Sequence, residues 1–128
     1  VTAVLVIPAV GVPGAPPHKL LAEAKRGLVE AAGTPAERYA AIHLAALRAA
    51  AAVLGARSAP DFITRKPVAS VWVYLTLCAP ELGEWAAFFA AGAAKRSATE
   101  AGVAAVTGEE ADELSEQVRR WLEVVEEV

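Results

Sequence analysis

The chain has 128 residues, enough for one domain with a genuine apolar core and too few to favour two. Much of its 55% hydrophobic content is alanine, which favours helix, and a net charge of -3 excludes the overall basic excess of a protein that grips nucleic acid non-specifically. A single cysteine, Cys78, rules out a disulfide within the chain and fits a reducing, cytoplasmic setting.

The sequence contains no methionine and begins at Val1, which fits an alternative start codon. Residues 1–17 are apolar but carry no preceding basic residues, and Pro8, Gly11, Pro13, Gly14, Pro16 and Pro17 interrupt them. They are expected to form a flexible apolar tail, leaving residues 18–128 as a helical bundle. A first helix is expected from about Pro17 to Ala32, because Leu20, Leu21, Ala24, Leu28 and Ala31 recur at intervals of three and four. Gly33 ends it.

Thr34-Pro35-Ala36-Glu37 then supplies a threonine cap, proline at the first helical position and glutamate at the third, which predicts a capping box opening a second helix. That helix, over residues 35–56, is apolar around most of its circumference and so belongs at the centre of the bundle. Its strongly polar interior residues are Arg38, His43 and Arg48, which need partners or a route to solvent. Residues 55–67, with Arg57, Arg65 and Lys66 among glycine, serine and proline, read as an exposed basic loop.

Residues 68–79 combine strand preference with a short unbroken apolar run. They are expected to be helical, because the only segment available to pair with them as a strand is the tail run at residues 2–7. A small sheet between the two is the alternative. A fourth helix is expected over residues 80–102, opened by Pro80, Glu81 and Glu84 and stopped by Gly102. Thr107-Gly108-Glu109-Glu110 forms a second capping box, and Ala111, Leu114, Val118, Trp121, Val125 and Val128 mark the apolar stripe of a fifth helix. Pro80, Glu81, Gly83 and Glu84 divide the apolar stretch at residues 68–94 into halves shorter than the roughly 20 residues a bilayer requires, so no stable membrane insertion is expected.

No zinc spacing, phosphate-binding glycine loop or nucleophile elbow is present, and His18 and His43 are the only histidines. No metal or other cofactor is expected. Trp72, Trp85, Phe88, Phe89 and Trp121 lie within apolar helical stripes and are expected in the core or at helix contacts. Lys95 and Arg96, joined by Arg57, Arg65 and Lys66, are candidates for a phosphate-facing patch, against the plainer reading of a solvated basic edge.

The run from Ala36 through Arg38, Tyr39, His43 and Arg48 to Ala50, followed by the run from Pro80 through Trp85, Phe88 and Phe89 to Lys95 and Arg96, resembles a small uncharacterised family of HEPN-domain proteins from high-GC bacteria. The resemblance extends from Lys19 to about Glu127. It implies a compact all-α, four- or five-helix bundle, often a homodimer, in a superfamily of metal-independent endoribonucleases and non-catalytic partners of nucleotidyltransferases. Active members carry arginine, four to six residues, then histidine, a spacing that Arg38 and His43 meet.

Their position in helix two and the Tyr39 that follows Arg38 depart from the usual pattern. Five helical steps of about 100° also set Arg38 and His43 roughly 140° apart on one helix, so a catalytic pair would need convergence across two chains. The leading expectation is therefore a non-catalytic, self-associating interaction module that binds a nucleotidyltransferase-like partner or a nucleotide. Arg48, Lys95 and Arg96 are its candidate nucleotide or RNA contacts, and a metal-independent endoribonuclease using Arg38 and His43 is the alternative.

Overall fold

A computed structural model describes residues 16–57, 71–102 and 105–128. Five α-helices span them, α1 (Pro17–Glu30), α2 (Pro35–Ala56), α3 (Val71–Cys78), α4 (Gly83–Glu100) and α5 (Gly108–Glu127), with one turn of 3-10 helix at Pro80–Leu82 before α4. There is no strand among the described residues. The expected tail lies almost wholly outside them, as do residues 58–70, which include most of the expected basic loop with Arg65 and Lys66.

The two capping boxes set the starts of α2 and α5. Thr34 Oγ1 accepts from the Glu37 amide at 3.2 Å while Glu37 Oε1 accepts from the Thr34 amide at 2.9 Å. Thr107 and Glu110 repeat the exchange at 3.1 and 3.0 Å. These reciprocal bonds satisfy amide groups that the helix itself leaves without partners. Gly33 turns the chain into α2 with a φ of 103°, and a Cβ there would meet Glu37 Oε1 at 2.7 Å, so the turn and the box together require glycine. Gly102, with a φ of 77°, provides the left-handed stop just beyond α4.

α2 is the central helix and packs against α1, α3, α4 and α5. Its buried alanines, Ala45, Ala46, Ala49, Ala50, Ala51 and Ala52, let neighbours approach closely, while Ile42, Leu47, Val53 and Leu54 fill the space between them. By length and composition α2 alone among the described helices would also suffice to cross a membrane, although most of it is buried within the bundle. α5 lies along it, and Trp121, fully buried, donates from Nε1 to the Ala46 carbonyl at 3.2 Å. The aromatic rings meet beside this contact: Trp72 stacks on Phe89 with ring centroids 5.1 Å apart, and Trp85 and Trp121 close the cluster.

Residues 71–78 are helical despite their strand preference, because Val71, Trp72, Tyr74 and Leu75 bury against α2 and α4. Four details differ from the sequence-based expectation. α1 ends at Glu30, where Ala31 turns extended. The fourth helix begins as a separate 3-10 turn, with Ala79 leaving the helical conformation ahead of Pro80. Arg57 is not part of a free basic loop: it caps α2 and pairs with Glu81 Oε2 at 2.5 Å. Phe88 is not in the core but 45% exposed, since its neighbour Phe89, about 100° around the helix, takes the inward position.

Candidate functional site

The polar residues of α2 project in different directions and reach different elements. Arg38, in the second turn of α2, extends to α5, where its Nη2 donates to Asp112 Oδ1 at 2.6 Å. His43, five residues on, turns to α4. Arg48 lies over α1, its Nη1 3.6 Å from where a Cβ on Gly27 would sit.

His43 is the one charged or strongly polar side chain fully buried among the described residues. Its Nε2 lies 3.0 Å from the Phe89 carbonyl oxygen. A carbonyl can only accept, so Nε2 carries the proton and donates it. Trp72 and Phe89 present their rings to the imidazole at 73° and 78°, and Gly92 brings α4 close enough that a Cβ there would sit 3.4 Å from both His43 Cδ2 and the Tyr39 hydroxyl. Tyr39 is one helical turn before His43 on the same face of α2. His43 Nδ1, Trp72 Nε1 and Arg96 Nε are buried without a hydrogen-bond partner among the described residues.

Electrostatics follow from this enclosure. Burial pushes the His43 pKa below its ordinary value, the Phe89 hydrogen bond opposes that, and the positive charge of Arg96 adds to the lowering. The resident form is therefore the neutral imidazole with its proton on Nε2 and a bare lone pair on Nδ1. Burial likewise pushes the Tyr39 phenol above its usual range.

The remaining candidates sit at the seam between the end of α4 and the start of α5. The Lys95 ammonium meets Glu110 Oε2, whose other oxygen completes the Thr107 capping box. Arg96 Nε is 4.0 Å from Glu100 Oε1, an ion-pair distance too long for a hydrogen bond. Arg38, Lys95 and Arg96 are thus each opposed by a carboxylate, and Arg48 lies apart from them over α1. Among the described residues the fold brings together His43 and Arg96, around Tyr39, Trp72, Phe89 and Gly92, but turns Arg38 away from His43 toward Asp112.

Asp112 and Gly92 carry no reading in the sequence, and Glu110 is read there only as the closing residue of the second capping box. The signal for Gly92 is a glycine inside an otherwise alanine-rich helix, which marks a close approach of another element. No group of three histidine, cysteine or acidic side chains that could hold a metal ion occurs among the described residues.

Comparisons with curated proteins and with solved structures return no match. Residues 29–126, covering most of α2 to α5 and the buried His43 cluster, match the family described as SAV_6107-like HEPN, and the chain belongs to that family.

Proposed function

We propose that this HEPN domain is a non-catalytic interaction module of the cytoplasm, which self-associates and binds a nucleotidyltransferase-like partner or a nucleotide. One observation carries the reading. The only histidine on the RxxxxH spacing is fully buried, its Nε2 is committed to the Phe89 carbonyl, and the arginine of the same motif is held by Asp112 on another helix.

A general base must come within hydrogen-bond reach of the proton it takes. For His43 to reach a ribose 2′-hydroxyl, the Trp72, Phe89 and Gly92 wall would have to open. An interaction module needs no such opening, and the same buried residues then act by fixing α4 against α2. The carboxylates opposite Arg38, Lys95 and Arg96 also disfavour a phosphate backbone lying across them.

The test is RNA cleavage by the purified chain in chelator, beside Arg38→Ala and His43→Ala, with sizing and equilibrium dialysis against ATP on the same samples. Equal, background-level cleavage in all three, with a parent that dimerises or retains nucleotide, is expected. Cleavage by the parent that is lost in a folded Arg38→Ala variant would replace this reading with the endoribonuclease.

A further inference from the structure

Helix α4 buries only Ala86 and Phe89 of its 18 residues. Its outward side is not an ordinary charged surface: Ala87, Ala90, Ala91 and Ala94 are exposed there, and the Phe88 ring stands out among them at 45% exposure. Glu84, Phe88, Ala91 and Lys95 follow one another at spacings of four, three and four. They form a single stripe within about 60° of the helix circumference and about 16 Å long. The stripe is acidic at its start, aromatic and small in its middle, and basic at its end.

We infer that this stripe is where a second copy of the chain docks, α4 against α4, antiparallel about a two-fold axis between Phe89 and Ala90. The inference rests on the self-association proposed above and names its surface. Charge decides the orientation. A parallel pair would set Glu84 against Glu84 and Lys95 against Lys95. An antiparallel pair sets Glu84 against the second copy's Lys95 and Phe88 against its Ala91, with each contact made twice, as an isologous interface requires.

Small side chains at Ala87, Ala91 and Ala94 let the two backbones approach and leave a hollow for the opposing Phe88 ring. Opposed helix dipoles favour the same orientation. Among the described residues no ion-pair partner for Glu84 is present within the chain. Lys95 already meets Glu110, but its ammonium has three donors and can serve both carboxylates. The acidic start of the stripe disfavours a phosphate backbone in this place, and the charges at both ends disfavour a lipid surface.

Sedimentation equilibrium of the full chain tests the assignment, with circular dichroism confirming that each variant is folded. The parent is expected to dimerise. Ala91→Arg fills the hollow with a long cation at an exposed helical position, and is expected to raise the dimer Kd by at least about tenfold. Glu84→Lys is expected to weaken the dimer at low salt and less so at high salt, because the repulsion it creates is screened. Val29→Arg, at an 85% exposed apolar residue on α1, is expected to leave it unchanged.

A parent dimer that tolerates Ala91→Arg and Glu84→Lys overturns the α4 face while leaving self-association in place. So does one that Val29→Arg dissociates and Ala91→Arg does not. A parent that stays monomeric at high concentration overturns both and leaves the face to a different protein.

Discussion

His43 in α2 donates from Nε2 to the Phe89 carbonyl in α4 across 3.0 Å, and no part of the imidazole reaches solvent. The bond joins two helices beside Gly92, where α4 lies against α2. Protonating Nδ1 would add a buried donor without a partner and place a positive charge near Arg96.

Stability should accordingly fall in acid. The folded-state pKa of His43 is lowered, so the unfolded chain, with a histidine near 6.5, binds the proton first. The contribution of neutral His43 is complete above about pH 6.5 and is lost progressively as pH falls toward the lower folded-state value. Thermal unfolding from pH 7.5 to 5 should show a steeper loss of Tm in the parent than in His43→Phe, and the imidazole proton resonance should titrate below 6.5. Parallel Tm curves would mean that the imidazole is not held neutral by burial.

The Arg38–Asp112 pair links α2 to α5 at 2.6 Å, but the two side chains are 28% and 70% exposed. Solvent screens such a pair, and its loss should cost no more than about 1 kcal/mol. In a double-mutant cycle of Arg38→Ala and Asp112→Ala, urea unfolding should give a coupling below that figure which shrinks with added salt. A much larger coupling would show that Arg38 holds the bundle together.

Removing either cap hydroxyl should cost about 1 kcal/mol, within the usual range of roughly 0.5–2. Thr34→Ala also removes the lesser of the two bonds that hold the Glu37 carboxyl pKa low, while the stronger one, from the Thr34 backbone, stays in place. Thr107→Ala should cost at least as much, because Glu110 joins the cap to Lys95 on α4. Thr34→Ser and Thr107→Ser keep the acceptor oxygen and should recover most of the loss in urea titrations.

Legibility in the sequence followed the range of the interaction. Both capping boxes depend on residues three apart, and both were readable before any fold was known. The central position of α2 was readable from its nearly continuous apolar surface. Helicity at residues 71–78 followed from the lack of a strand partner rather than from residue preference. Contacts between elements left no such local mark: nothing near Arg38 announces Asp112, and nothing near Lys95 announces Glu110. Phe88 and Phe89 show the same limit: on α4, which buries only a narrow side, positions about 100° apart do not both turn inward, and local pattern does not say which one does. The RxxxxH spacing was visible, but the burial of its histidine and the outward turn of its arginine depend on where α4 and α5 lie.

Gly92 gives the sharpest test of that packing. Its backbone is ordinary helix, so glycine is not required there by conformation and costs up to about 1 kcal/mol relative to alanine. A single added Cβ would stand 3.4 Å from His43 Cδ2 and from the Tyr39 hydroxyl, which is van der Waals contact and not collision. Gly92→Ala should therefore be neutral or stabilising by a few tenths of a kcal/mol to about 1 kcal/mol in urea unfolding. Gly92→Leu puts a branched side chain where α2 already stands, and should cost about 1–3 kcal/mol by forcing the helices apart. The same separation would lengthen the His43 bond to Phe89, so in Gly92→Leu the imidazole should titrate closer to 6.5 as water reaches it. If Gly92→Leu were as stable as Gly92→Ala, with His43 titrating as in the parent, α4 would not lie against α2 at this point.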